Sequence, residues 1–141
     1  MFLGEFSYRI DEKGRVPLPP RFRADFSDGI ILTIGAEKCI LAYNPSQWKA
    51  LADNLTTGPL LSSKMRKLNR TLFGTAFNLN LDGQGRVALP VPLRQYAGIT
   101  SDVVIVGANT YLEIWDKQAW EIEKTDSQAQ SWQIIETLEK H

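Results

Sequence analysis

The sequence contains almost none of the residues that metal sites and nucleophilic catalysis depend on. Its one cysteine is Cys39, and its one histidine is the last residue, His141. A disulfide-framed secreted scaffold is therefore excluded, and one Cys with one terminal His cannot form a zinc-binding set. A catalytic imidazole must be positioned by its surroundings, which a chain end seldom provides. The sequence thus gives no argument for an enzyme, and we expect neither a cofactor nor a metal.

Long apolar runs and net charge are also lacking. No stretch approaches the roughly 20 apolar residues of a membrane span, and the first residues lack the features of a signal peptide. We therefore expect a cytoplasmic protein without a membrane partner. The 16 Lys and Arg residues balance the 16 Asp and Glu residues, which on its own argues against a nucleic-acid-binding domain. The charge is nevertheless divided, since residues 1–112 carry a net +4 and residues 113–141 a net −4.

What the sequence does have is an internal repeat. Residues 11–23 match residues 82–94 at an offset of 71, sharing the Asp, Gly, Arg, Val, Leu, Pro and final Arg. At an offset of 72 the match continues as far as Trp48 and Trp120. This pattern predicts a first unit over residues 5–47, a helical linker over 48–75, a second unit over 76–119 and a helical tail over 120–141.

Both units predict the same order of elements, in which a tight Asp-x-x-Gly turn follows the first strand. An Asp side chain can bond the backbone two residues on, and Gly accepts a positive φ. The expected loop-shaping residues are therefore Asp11 and Gly14 in the first unit, and Asp82 and Gly85 in the second. The expected strands and short helices are residues 5–10, 15–18, 20–26, 30–34 and 38–43, and then 76–81, 86–89, 91–97, 103–107 and 110–115.

Further helices are expected after each unit, with Asn44 and Asp116 as N-caps. Apolar residues at helical spacing predict an amphipathic segment within residues 49–74: Leu60, Leu61, Met65, Leu68 and Leu72. The basic residues of its other face form either a second electrostatic footprint or a solvated surface: Lys64, Arg66, Lys67 and Arg70. The three-residue spacing of Trp132, Ile135 and Leu138 predicts one more helix in the acidic tail.

Two arginines, Arg15 and Arg86, stand directly after the two turns, and two interpretations of them remain open. Each could bridge back to the turn Asp, as a surface pair worth roughly 0–1 kcal/mol. Alternatively, each turn could present a guanidinium to DNA, because Arg pairs bidentately with phosphate and with guanine in the major groove. Lys13 adds a positive charge to the first loop, whereas the equivalent Gln84 can only form hydrogen bonds. We therefore expect the first loop to be the stronger phosphate contact.

The string Asp-x-x-Gly-Arg-Val-x-Leu-Pro, present twice, resembles the MraZ family of bacterial transcriptional regulators. The likeness extends over nearly the whole chain, including Met1 to Gly4, Leu93 to Gly98 and Glu113 to Asp116. It implies the α+β fold of the swapped-hairpin AbrB-like superfamily. The fold would have two tandem, pseudo-twofold related β-units, a β-barrel-like core and peripheral helices. It also implies a ring-shaped homo-oligomer.

The same resemblance implies a function. The protein would be nucleoid-associated and would bind closely spaced, G-containing direct repeats in double-stranded DNA. These repeats would lie upstream of its own division and cell-wall operon, which it would mostly repress. The family's DNA-contacting loops map onto residues 11–15 and 82–86. The alternative is an AbrB-like oligomeric scaffold or an antitoxin-type protein-interaction module.

Three more basic residues are candidate phosphate contacts. Arg21 and Arg23 lie on the short helix predicted beside the first loop, and Arg94 lies on the equivalent helix of the second unit. The alternative interpretation of these residues is ordinary solvated surface or an intersubunit ion pair.

Overall fold

The computed structural model describes residues 1–56 and 62–140, which form β-strands, α-helices and one short 3-10 helix. In chain order these are β1 (Glu5–Arg9), β2 (Arg15–Pro17), the 3-10 helix (Pro20–Phe26), β3 (Ile30–Ile34), β4 (Ile40–Tyr43), α1 (Pro45–Leu55), α2 (Ser63–Leu72), β5 (Phe77–Leu79), β6 (Arg86–Ala88), α3 (Val91–Ala97), β7 (Asp102–Gly107), β8 (Leu112–Asp116) and α4 (Lys117–Glu139). Among the described helices, none is long and apolar enough to cross a membrane.

The strands form two antiparallel sheets that join the two halves of the sequence. The larger sheet has the order β1-β7-β8-β4-β3-β5, and β2 and β6 form a separate two-stranded ribbon. The first strand of each half pairs with a strand of the other half, since β1 pairs with β7 and β5 pairs with β3. The pairs β4–β8 and β2–β6 also link the halves. The chain thus has the expected α+β class, with an antiparallel sheet and helices.

One hydrophobic core lies between these elements. Side chains of the ribbon and of the following short helices join those of the large sheet in a single cluster, in which Val16, Leu18 and Val87 are fully buried. Phe2 and Phe22 meet edge-on, with their ring centroids 5.2 Å apart. This contact joins the N-terminal segment to the 3-10 helix.

The helix starts follow the sequence prediction, but some helix lengths differ from it. The side chain of Asn44 accepts a hydrogen bond from Gln47 N (2.8 Å), and that of Asp116 accepts one from Ala119 N (3.1 Å), as expected of N-caps. The residues predicted as one amphipathic segment contain two helices, α1 and α2, with Leu60 and Leu61 outside the described residues. The tail is helical as predicted, but it is not a separate helix. α4 continues without a break from Lys117 to Glu139, because neither Gly nor Pro interrupts it.

The strands are shorter than predicted at several ends. β1 stops at Arg9, β5 covers only Phe77–Leu79, and β4 begins at Ile40 rather than at residue 38. Lys38 belongs to the turn, where its φ is 61° and its N–H donates to Gly35 O (3.3 Å). The turn geometry therefore ends the pairing of β3 with β4 at Ile40, although the sequence pattern predicted a strand from residue 38.

A buried hydroxyl attaches α2 to the large sheet. Thr33, on β3, is fully buried, and its Oγ1 donates to Leu72 O over 2.8 Å. The same oxygen lies 3.0 Å from Oγ1 of Thr75. These bonds attach the C-terminal end of α2 to β3.

We expect Thr33→Val to lower the free energy of unfolding by about 1–3 kcal/mol, because it leaves the Leu72 carbonyl without its buried donor. Chemical denaturation measures this. The matched control is Thr125→Val, at an exposed position of α4 whose hydroxyl bonds only its own helix. Equal stability of the two variants would show that the hydroxyl does not hold α2.

Candidate nucleic-acid interface

The loop over Asp11–Arg15, here called loop 1, is built around the carboxylate of its first residue. Asp11 O accepts from Gly14 N (3.0 Å), and Asp11 N donates to Arg15 O (3.0 Å). Oδ1 of Asp11 accepts two more bonds, from Lys13 N (2.9 Å) and Arg15 N (2.8 Å). The φ of Gly14 is 77°, a conformation that L side chains rarely adopt. The turn is thus fixed by local hydrogen bonds.

Loop 2, over Asp82–Arg86, repeats this geometry almost bond for bond. Asp82 O accepts from Gly85 N (3.0 Å), and Asp82 N donates to Arg86 O (2.9 Å). Oδ1 of Asp82 accepts from Gln84 N (2.9 Å) and Arg86 N (3.0 Å), and the φ of Gly85 is 75°. Both loops therefore hold the following arginine in the same way.

The ribbon places the two arginines on the face opposite to the core. Arg15 pairs with Ala88, and Pro17 pairs with Arg86, so the central pair is Val16 and Val87. Both valines are fully buried. Since side chains alternate along a strand, the two arginines share the outer face.

Each arginine is held by its loop carboxylate through one nitrogen. Nε of Arg15 donates to Asp11 Oδ2 over 2.7 Å, and Nε of Arg86 donates to Asp82 Oδ2 over 2.8 Å. The terminal nitrogens of both arginines donate no hydrogen bond to any described residue. The two side chains are 28% and 27% exposed. Because a guanidinium carries five N–H donors, most of its donors stay available.

The two guanidinium groups also converge. NH1 of Arg86 lies 3.8 Å from Oδ2 of Asp11, the oxygen that Nε of Arg15 contacts. One carboxylate therefore lies beside both arginines, and the two loops form one surface that presents both guanidinium groups. We call this surface the arginine pair. Lys13 and Gln84 are exposed at the tips of the loops beside it.

The hydrogen bonds of the loops keep both carboxylates ionised. The backbone N–H of Arg15, followed by its side chain, lowers the pKa of Asp11 below the ordinary value of an aspartate. The backbone N–H of Arg86 has the same effect on the pKa of Asp82. At neutral pH both Asp side chains are thus anions whose oxygens already accept hydrogen bonds.

The candidate phosphate contacts lie in places that the sequence did not predict. Arg23, expected beside loop 1, contacts Gly85 of loop 2, and Arg94 contacts Gly14 of loop 1. Arg21 lies over the ring of Phe6, with its guanidinium carbon 5.4 Å from the ring centroid. Sequence reasoning missed this crossing because it arises from the pairing between halves. Nothing within either repeat signals that pairing.

The remaining candidates lie elsewhere. The basic residues of α2 are exposed on a helix outside the ribbon: Lys64, Arg66, Lys67 and Arg70. Cys39 is a buried thiol, and burial raises its pKa, so it is neutral. Among residues 1–56 and 62–140, no group of His, Cys, Asp and Glu side chains could hold a metal ion.

The lowered pKa values predict how acid affects the loops. A carboxylate with a lowered folded-state pKa contributes stability that is complete above its unfolded pKa and is lost as the pH falls through the folded pKa. Asp82→Asn keeps an oxygen for the backbone N–H groups but removes the charge. We expect it to lower stability at pH 7 and to approach the unmodified protein as the pH falls below about 3.9. Urea denaturation from pH 7 to pH 2 tests this, and a difference that is constant with pH would contradict it.

The left-handed glycines give a second prediction. Gly14→Ala and Gly85→Ala should each lower the free energy of unfolding by about 1 kcal/mol or more, because a Cβ is disfavoured at positive φ. Gly83→Ala is the matched control, since a Cβ added there meets no atom within 4 Å. Chemical denaturation of the three variants provides the measurement. If the loop variants were as stable as the control, the turn geometry described above would be wrong.

Comparison with known proteins identifies the family of the chain. The family model for "MraZ protein", whose description also uses the term antitoxin-like, matches residues 1–71 and again residues 72–139. The chain is 58% identical to the transcriptional regulator MraZ of Dehalococcoides mccartyi strain BAV1, over 100% of both chains. It is 40% identical to the protein of the same name from Frankia alni, over 86% of this chain and 85% of the relative. The chain therefore belongs to the MraZ family.

Proposed function

We propose that this protein is a transcriptional regulator that binds double-stranded DNA sequence-specifically through loops 1 and 2. The observation that carries the proposal is the arginine pair, two guanidinium groups fixed on one outer face with their terminal nitrogens available. The names of the relatives, which are transcriptional regulators, support the same function.

The loops suit DNA because they fix the arginines before binding. Each Nε is held by an aspartate, so little conformational freedom remains to be lost when the terminal nitrogens meet their partner. Those nitrogens can pair bidentately with phosphate oxygens or with O6 and N7 of guanine. A two-stranded ribbon is narrow enough to approach the major groove. The aspartates act as supports, because their oxygens already accept bonds from the protein.

The contacts around the arginine pair differ between the loops. Lys13 brings a positive charge to loop 1, whereas Gln84 brings only hydrogen bonds to loop 2. We propose that loop 1 grips the phosphate backbone more strongly. Of the three arginines that the sequence suggested as phosphate contacts, we propose Arg21 as the outer phosphate contact. Arg23 and Arg94 lie against the loops themselves, Arg23 beside loop 2 and Arg94 beside loop 1.

The assembly is proposed to multiply these contacts. Two observations support two tandem swapped-hairpin units, residues 5–47 and 76–119, around a barrel-like core. The family model matches the chain twice, and the first strand of each half pairs with a strand of the other half, β1 with β7 and β5 with β3. A ring-shaped homo-oligomer of such chains would bind direct repeats with avidity when the repeats match its spacing. We propose that these repeats precede its own division and cell-wall operon, which it represses. The protein would then be cytoplasmic and nucleoid-associated.

A protein-interaction role is the second candidate. α4 exposes large apolar side chains, with Trp132 71% and Leu138 69% exposed. The family description also contains the term antitoxin-like. An oligomeric scaffold or an antitoxin-type module would use such a surface, and it would not require the arginine pair.

DNA binding by variants tests the proposal. Arg15→Ala should weaken binding to the upstream region of the chain's own gene by about 1–3 kcal/mol, and Arg86→Ala should act in the same direction. Stability should change by only about 0–1 kcal/mol, as for a surface ion pair. Fluorescence anisotropy with labelled DNA measures the affinity, and denaturation measures the stability.

Two controls sharpen this test. Lys124 is paired with Glu5, which lies at the end of β1 away from loop 1. Lys124→Ala removes one positive charge there and should leave DNA binding unchanged. Arg15→Lys keeps the charge but not the planar fork, so it should remain impaired. Affinity should also fall as salt is added. Unchanged binding by both alanine variants would favour the scaffold.

A further inference from the structure

Arg23 and Arg94 occupy equivalent places in the two repeats, and each reaches a loop of the other half. Nε of Arg23 donates to Leu18 O over 3.1 Å, and Nε of Arg94 donates to Leu89 O over 3.0 Å. These bonds bend each side chain back towards the ribbon. There the loop of the opposite half ends, at its glycine.

What each arginine covers is a loop glycine. A Cβ placed on Gly85 would overlap Nε and Cδ of Arg23, and one placed on Gly14 would lie 3.0 Å from Cζ of Arg94. Both glycines are buried, although residues 82–84 and 12–13 beside them are exposed. The arginines therefore pack against loop backbone that would otherwise face solvent.

The backbone of the ribbon holds the same glycines from a second side. Leu18 N donates to Gly85 O (3.0 Å), and Leu89 N donates to Gly14 O (2.9 Å). Leu18 thus binds Gly85 through its N–H and Arg23 through its carbonyl. Gly85 lies in a clamp made entirely by the first half, and Gly14 lies in one made by the second.

Electrostatic pairing does not account for these positions. Among the described residues, neither Arg23 nor Arg94 forms an ion pair with a carboxylate, and the atoms they cover belong to neutral glycine. Arg21, two residues before Arg23, lies over Phe6 instead. Packing and one hydrogen bond, rather than charge, fix the two arginines on the loops.

We infer that Arg23 and Arg94 are positioning residues that act across the two halves: Arg23 fixes loop 2 and with it Arg86, and Arg94 fixes loop 1 and with it Arg15. Arg86 and Arg15 directly follow the covered glycines, so a loosened glycine frees the guanidinium that follows it. The effect on DNA binding rests on the proposed function, whereas the effect on the loops does not.

Amide hydrogen exchange tests the effect on the loops without DNA. Arg23→Ala should speed exchange at Gly85 and Arg86 by about tenfold, as for local opening, and leave Gly14 and Arg15 unchanged. Arg94→Ala should do the reverse. The matched control Arg21→Ala should change neither loop. Faster exchange in loop 1 alone, or in neither loop, after Arg23→Ala would overturn the inference.

A conservative variant guards against a general loss of folding. Arg23→Lys keeps the positive charge but has no Nε–H in the same place and no planar group to cover Gly85. It should also speed exchange in loop 2, with the secondary structure unchanged by circular dichroism. If loop 2 of the Arg23→Lys variant exchanged as slowly as in the unmodified protein, a positive charge alone would be sufficient to hold the loop. That result would contradict the clamp.

A double-mutant cycle then links the clamp to DNA. If Arg23 acts through Arg86, Arg23→Ala should weaken binding several-fold in the unmodified protein and have almost no effect once Arg86 is Ala, while it adds fully to Arg15→Ala. Additive effects of the Arg23 and Arg86 changes would make Arg23 a separate contact and overturn its positioning role in binding. If the unmodified protein failed to bind DNA, the proposed function would fall, but the exchange results would still decide the clamp.

Discussion

The antiparallel pairing of β2 with β6 is the interaction on which the rest of the structure depends. Its central pair, Val16 and Val87, is buried in the core, and this fixes which face of the ribbon looks outward. The two strands come from different halves of the sequence, so the outer face that carries both arginines is formed jointly by the two halves. The ribbon therefore brings onto one surface two loops that lie 71 residues apart.

The structural role of the loop arginines and their proposed binding role are compatible, because they use different nitrogens. The carboxylates of Asp11 and Asp82 take the Nε positions and orient the planar groups. An aspartate beside an anion-binding arginine offsets part of its charge, yet it removes rotational freedom that binding would otherwise have to remove. Each guanidinium is therefore paired with a carboxylate, while its terminal nitrogens donate no hydrogen bond to a described residue.

The sequence predicted the features that are set by local interactions. Asp11 to Arg15 form their turn from bonds between residues at most four positions apart, and the N-caps at Asn44 and Asp116 reach only three residues ahead. The strand partners and the crossing of Arg23 to Gly85 depend on residues far apart in the chain, which periodicity does not encode. The continuity of α4 was missed for another reason, since apolar spacing marks a helix face but not whether two helical stretches form one helix.

Zero net charge argues against DNA binding only if the charges are spread evenly, and here residues 1–112 carry a net +4 and residues 113–141 a net −4. Most of the acidic C-terminal residues lie on α4, which packs beside β7 and β8 at the large sheet, with Lys124 paired to Glu5. The loop cations lie on the β2–β6 ribbon, where the backbone and Arg side chains already satisfy the aspartates. A ligand responds to the local field of the surface it meets rather than to the sum over the chain. The zero sum therefore combines regions of different charge, and on the β2–β6 ribbon the arginines are held rigidly by their own loops.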